Sequence, residues 1–198
     1  RKPQTTRHRS LGIKTVGSLQ FVYVDTPGIH KSQKKAINRV MNNTATSALD
    51  GVDVVLFVVE RMVFNEEDEM VLEALKKVKV PVLLLINKCD LLESPGRLLP
   101  HIERMAKKRE FAEIIPLSVL SNHNLDAVEK CVEKYLPLGP FLYPVDQVTD
   151  RSSRFLAAEI IREKITRQLG DELPYEVTVE IEKYTIQDGI VHIHGLVL

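Results

Sequence analysis

Four stretches of the chain are dominated by apolar and β-branched positions. Gly17 to Asp25 (GSLQFVYVD) is rich in aromatic and β-branched residues and ends on T-P-G, the pattern of a strand running into a loop. Val52 to Glu60 (VDVVLFVVE) and Val80 to Asn87 (VPVLLLIN) are almost continuously apolar. Such runs suit parallel strands covered on both faces. Ile114 to Ser118 is a shorter fourth strand candidate. Between them, helical spacing predicts helices over Ala36 to Leu49, Glu66 to Val78, Arg97 to Lys108 and Leu125 to Tyr135. Alternating strands and helices imply an α/β domain with a mostly parallel sheet, whose ligands bind in the loops at the carboxyl ends of the strands.

The pattern changes after Tyr135. The stretch LPLGPFLYPVDQVTD holds Pro137, Pro140 and Pro144, which interrupt helix and sheet alike, so residues 137–149 read as a linker. Beyond it, Asp150 is expected to cap a helix from Arg151 to Leu169, with an apolar stripe of Phe155, Ile161, Ile165 and Leu169 and a stop at Gly170. Glu176 to Tyr184 then alternates, Gln187-Asp188-Gly189 turns the chain, and Ile190 to Leu198 runs back. The expected organisation is a first domain over 1–136, the linker, and an α+β unit from 150 to 198. The chain starts at Arg1 and stops within an apolar run, so both ends are expected to be cut.

Composition narrows the classes. A 198-residue chain that is 44% hydrophobic supports one or two packed domains. Its 27 Lys plus Arg balance 27 Asp plus Glu, so no global field draws it to nucleic acid or acidic lipid. Any such contact must be a local patch: residues 1–24 carry five basic side chains and no acid, a composition suited to a loop that meets phosphates or to a solvated basic arm. Cys89 and Cys131 lack C-x-x-C spacing, which argues against a zinc cage and against a disulfide scaffold. No apolar run approaches the roughly 20 residues that span a bilayer, and the start does not resemble a signal peptide. His192 and His194 are read as the polar face of a hairpin, and the acidic run Glu66 to Glu69 as complementing the positive end of its helix.

Two motifs carry chemistry. Asp25-Thr26-Pro27-Gly28 ends a strand, where a carboxylate reaches a Mg2+ ion directly or through water and a glycine amide faces a terminal phosphate. Asn87-Lys88-Cys89-Asp90 ends another strand. Its last carboxylate can accept two hydrogen bonds from N1 and the exocyclic amine of guanine, a donor pair that adenine lacks. The wrong base leaves that acid unpaired, which disfavours it. Asn87 would tie neighbouring loops together, and the Lys88 stem could lie along the nucleoside. Singly, each motif is also an ordinary strand-end turn, with Asp90 as a helix cap. Together, in this order and ahead of Pro116-Leu117-Ser118, they point to a guanine nucleotide.

With these residues the chain resembles the translation-factor-like GTPases and, closely, the Era family of ribosome-assembly GTPases. The likeness rests on Pro3-Gln4-Thr5-Thr6-Arg7-His8-Arg9, on the paired DTPG and NKCD, and on DRSSRFLAAEIIREKI followed by LPYEVTVEIE. It extends from Arg1 to Leu198. The resemblance implies a P-loop-type G domain followed by a KH-type RNA-binding domain. It implies a GTPase that binds GTP and GDP with Mg2+, binds small-subunit ribosomal RNA and acts on the small ribosomal subunit during its assembly. It also implies a cytoplasmic protein with peripheral association at the inner membrane, and no role on DNA. Residue by residue, Thr6, or Thr5 beside it, would ligate Mg2+ in the triphosphate state and Asp25 would hold the ion through water. Thr26, Pro27, Gly28 and Ile29 would line the phosphate side, with Gly28 sensing the γ-phosphate. Asn87, Lys88, Cys89 and Asp90 would read guanine, and Ser118 and Val119 would supply the third base loop. The family usually has Ser-Ala at that place, and the wider valine leaves its backbone amide available.

Ile29 stands where many GTPases place a glutamine that orients the attacking water, and it cannot hydrogen-bond. Unaided hydrolysis is therefore expected to be slow and to depend on a backbone group, a monovalent cation or a partner. His30 is read as exposed rather than as a base. The phosphate-cradling G-x-x-x-x-G-K-[ST] loop is absent from these residues; Gly12 and Gly17 have its glycine spacing, but Ser18 follows where lysine is required. In the family the strand feeding that loop lies mid-sheet, so two half-sheets are expected, and this stretch alone should neither bind GTP tightly nor turn it over. A KH clamp needs G-x-x-G, yet no two of the nine glycines stand three apart. Residues 151–198 carry six basic and eight acidic side chains, which gives them no electrostatic case for RNA by themselves. A degenerate G-domain scaffold and a nucleotide-independent RNA-binding module are the rivals, and Asp25, Gly28, Asn87 and Asp90 oppose both.

Overall fold

A computed structural model describes residues 9–26, 49–168 and 177–198. Thr5, Thr6, Pro27, Gly28, Ile29 and His30, and the helix expected from Ala36, lie outside the described residues. The chain forms two compact units, one of residues 29–141 and one of residues 1–28 together with 142–198.

In the first of these units the apolar runs become a parallel sheet in the order β3 (Val55–Glu60), β4 (Val82–Asn87), β5 (Glu113–Pro116). Successive side chains of a strand point to opposite faces, so burial of Leu83, Leu84, Leu85 and Ile86 in sequence means that both faces of β4 are covered. That is why the run has no polar interruption before Asn87. Phe57, Val59, Leu72, Leu75, Leu84, Ile86 and Met105 form one core cluster. Leu72 and Leu75 come from α1 (Glu66–Leu75) and Met105 from α2 (Leu99–Lys108); α3 (Leu125–Glu133) adds Val128 and Val132 to the buried set. Asn65 starts α1 with a capping box: its Oδ1 accepts the Asp68 amide at 2.9 Å and its own amide donates to Asp68 Oδ2 at 2.8 Å. The acids Glu66 to Glu69 occupy the first turn, where the helix dipole favours them. α2 begins at Leu99 rather than Arg97, because the residues from Pro95 to Leu98 wind as a tighter 3-10 turn.

A histidine side chain sits fully inside this unit. His101 on α2 is buried, with Nδ1 against the Arg104 guanidinium at 2.9 Å and Nε2 without a partner among the described residues. Burial, then the Arg104 charge, holds its pKa below the ordinary 6.5. Below about pH 6.5 the unfolded chain takes up a proton that the folded one refuses, so stability should fall as pH drops through that value toward the folded pKa. Urea midpoints at pH 7.5 and 5.5 should therefore differ, and the difference should shrink in His101→Gln.

The other unit opens with an antiparallel hairpin of β1 (Ser10–Val16) and β2 (Leu19–Asp25), registered from Ser10 opposite Asp25 to Val16 opposite Leu19. The basic N-terminal segment is thus not wholly a loop: Ser10–Val16 is a strand with Ile13 buried. Gly12 lies inside β1 and Gly17, at φ +58°, takes the left-handed position of the two-residue turn, so this glycine pair serves a hairpin. The hairpin is a two-stranded sheet of its own.

Residues 142–150 are strapped along the hairpin. Gln20 Oε1 accepts the amides of Leu142 and Tyr143 at 2.9 and 3.0 Å, while its Nε2 donates to Tyr143 O at 2.9 Å and Thr15 Oγ1 at 3.0 Å. The Ile13 amide donates to Val148 O, and the Leu11 amide to Asp150 Oδ1, both at 2.9 Å. Asp150 therefore binds β1 instead of capping the next helix. α4 (Ser153–Gln168) is started by Ser152, whose Oγ accepts the Phe155 amide at 3.3 Å. On α4 the stripe residues Phe155, Ile161 and Ile165 are half-buried, whereas Arg162 is buried and forks onto Glu159. Arg154 donates to the carbonyls of Ile181 and Glu182, both at 2.8 Å, where β6 (Val179–Gln187) bulges against β7 (Ile190–Val197). Asp188 and Gly189 turn this second hairpin with φ of +52° and +78°, the geometry an Asp-Gly pair favours.

Candidate functional site

Because β3, β4 and β5 are parallel, their last residues, Glu60, Asn87 and Pro116, open three loops at one edge of the sheet. The register sets Glu60 beside Asn87 and Ile86 beside Pro116. Backbone bonding continues past the strand ends. The Arg61 amide donates to Asn87 O at 2.9 Å, Leu117 to Ile86 O at 2.9 Å, and Cys89 to Leu117 O at 3.1 Å. The chain leaves β4 through Lys88 at φ +65°, a left-handed conformation unusual for a long side chain, and enters a 3-10 turn over Cys89–Leu91.

One side chain locks these loops to each other. Asn87 Oδ1 accepts the Lys88 amide at 2.7 Å and the Val119 amide at 3.1 Å. Ser118 is buried; its Oγ accepts the Ser121 amide at 3.2 Å, and its backbone exchanges two hydrogen bonds with His123. Asn124 Nδ2 donates to Pro116 O at 2.8 Å and closes the same loop from behind. Val119 corrects one expectation: its amide is not available but committed to Asn87, while its side chain is exposed. Lys88 Nζ reaches back to Glu60 Oε2 at 2.7 Å, with Arg61 at 3.6 Å from the other oxygen. The hydrogen bond from Lys88 holds the Glu60 carboxyl below its usual range. Asp90 is exposed on the fixed turn, and its carboxylate has no protein partner among the described residues. Such a group is an exposed acceptor for a ligand with a pair of donors.

A family profile described as 50S ribosome-binding GTPase matches residues 1–88. GTPase Era of Azotobacter vinelandii is 58% identical over all 198 residues, and the chain spans 66% of that relative's length. A crystal structure of Era in complex with MgGDPNP and nucleotides 1506–1542 of 16S ribosomal RNA aligns with a TM-score of 0.91 at 35% identity, over 98% of this chain and 67% of that one. The chain belongs to the Era family. An Aquifex aeolicus Era structure bound to GDP and AlF4− aligns equally well, with a TM-score of 0.91 at 35% identity. The β3–β4–β5 sheet with its helices is thus part of a P-loop GTPase domain of the Era kind.

In this Era-family chain, Asn87, Lys88, Cys89, Asp90, Ser118 and Val119 are brought together at one sheet edge. Asp25 and Thr26 lie in the other unit: Asp25 is the exposed last residue of β2, opposite Ser10, and Thr26 follows it, half-buried. Cys89 donates its thiol to Ile86 O at 3.1 Å, and burial pushes its pKa up, so it is a neutral packing group rather than a nucleophile. Glu60 and Arg61 escaped the motif reading, although two adjacent apolar runs that each end on a polar residue at one level were a signal for them. His192 and His194 are exposed on β7, the second opposite Lys183, whose charge disfavours a cation there.

Proposed function

We propose that this chain belongs to a GTPase that binds GTP, hydrolyses it to GDP and phosphate, binds small-subunit ribosomal RNA, and acts in assembly of the small ribosomal subunit. The observation that carries the reading is the exposed Asp90 carboxylate on a turn fixed by Asn87. Guanine satisfies that acid with N1–H and the 2-amino group. Asn87 keeps the base loops in register, the Lys88 stem lies along the nucleoside, and Cys89, Ser118 and Val119 complete the wall. For Val119 to give its amide to the base, the Asn87 bond must yield or be shared.

On the phosphate side Thr6 and Asp25 would hold Mg2+, and Thr26, Pro27, Gly28 and Ile29 would face the phosphates. The hard oxygen donors of an exposed strand-end carboxylate and a hydroxyl fit that ion. When bound, it neutralises charge on the β and γ phosphates. Ile29 has no group with which to orient the attacking water, which leaves unaided turnover slow.

Residues 1–136 serve as the G domain, 137–149 as the linker and 150–198 as the first part of a KH-type domain. The RNA assignment draws on the related Era crystallised with a 16S fragment. A cytoplasmic site of action with peripheral inner-membrane association accompanies this reading; no described helix is long and apolar enough to cross a membrane.

The test is a competition of GDP against ADP on a protein in which this chain is joined to a G-x-x-x-x-G-K-[ST] loop. A carboxylate left facing adenine should make GDP bind about 100-fold tighter. Equal affinity for the two would remove the basis of the proposal.

A further inference from the structure

We infer that Glu60 is a positioning residue for guanine binding: by holding the Lys88 ammonium it presets the side-chain stem on which the nucleoside rests. This rests on the guanine reading of the site given above. The β3–β4 register places Glu60 directly beside Asn87, and the Arg61 amide bonds Asn87 O, so the end of β3 is fixed to the start of the base loop. Lys88 is then gripped at both ends. Its amide donates to Asn87 Oδ1 at 2.7 Å, which supports the left-handed backbone, and its ammonium donates to Glu60 Oε2 at 2.7 Å. Between those anchors runs a flexible four-carbon stem that would otherwise sample many rotamers. Arg61, 3.6 Å from Glu60 Oε1, steadies the carboxylate from the other side. Ordering the stem before the ligand arrives removes an entropy cost from binding. An opposite arrangement makes a distinct forecast: if Lys88 had to leave Glu60 to reach the nucleotide, losing Glu60 would tighten binding.

The experiment uses Glu60→Ala, Glu60→Gln, Lys88→Ala and the Glu60→Ala/Lys88→Ala double variant, in the protein carrying the phosphate loop, with GDP and ADP titrated calorimetrically. The ion pair is partly exposed, so the expected loss is modest: GDP binds about fivefold more weakly to Glu60→Ala. Glu60→Gln, which keeps an acceptor, should recover part of that loss. In the Lys88→Ala background, removing Glu60 should cost nothing further, a coupling that a general structural role of Glu60 would not produce. GDP affinity unchanged or tightened in Glu60→Ala, or an equal loss with and without Lys88, overturns the inference. Should the unsubstituted protein fail to prefer GDP over ADP, the guanine reading itself has failed and this inference falls with it. A preserved GDP preference with a silent Glu60→Ala sinks only the role of Glu60.

Discussion

Asp90→Asn is expected to weaken GDP binding by about 100-fold and to make xanthosine diphosphate the better ligand. A carboxylate accepts from both guanine donors, whereas the asparagine amide offers one acceptor and sets its own N–H group against a guanine donor. That exchange removes a charge-assisted pair and leaves buried donors unmet, about 2.8 kcal/mol for the stated factor. Xanthine carries a carbonyl where guanine carries its amine, so it can accept from the new amide. The scaffold should not notice. Asp90 is exposed and bonded to nothing among the described residues, while the Asn87 bonds to Lys88 and Val119 are untouched. Parallel titrations of both nucleotides, with a melting curve for each protein, check this; GDP binding at the original strength would show that Asp90 does not face the base.

The largest loss of stability is expected from Leu84→Ala. Leu84 is fully buried in the middle of the central strand and belongs to the core cluster with Phe57, Leu75 and Met105. Truncation there removes burial and leaves a cavity between elements that cannot close on it, a cost of about 2–5 kcal/mol. Against a total of about 5–15 kcal/mol for a domain, that threatens the fold. Leu120→Ala is the matched control: the residue is 87% exposed on the loop after β5, so its truncation should change stability by less than about 0.5 kcal/mol. Urea unfolding of the two variants beside the parent measures the contrast. Comparable midpoints for both would mean that β4 is not the centre of the core.

The parallel sheet was legible in the sequence because a strand buried on both faces cannot carry polar residues, and Val82 to Ile86 carries none. The loop proposed to meet the base stood out for a related reason. Asn87 and Asp90 are polar residues placed where an apolar run stops, and a strand end is where an α/β sheet presents its chemistry. β1 was hidden by its basic flank and by Gly12, though Leu11, Ile13 and Thr15 do alternate. Asn65 was missed as a cap because its reciprocal partner is Asp68 rather than the more usual Glu or Gln. Asp150 was assigned to its nearest helix when its actual partner, the Leu11 amide, lies 139 residues away. The grip of Glu60 on Lys88 depends on strand register, and register is a property of paired chains that no single segment displays.

The strap along the first hairpin also sets an order of events during synthesis. Its hydrogen bonds join residues 122 to 139 positions apart. A translating ribosome adds about 5–20 residues per second, so residues 142–150 emerge on the order of ten seconds after β1. Through that interval the β1 edge of the nascent chain stands open to any passing strand. Slower elongation late in the message would lengthen that exposure, and a chaperone that shields early-emerging strands would shorten its consequences.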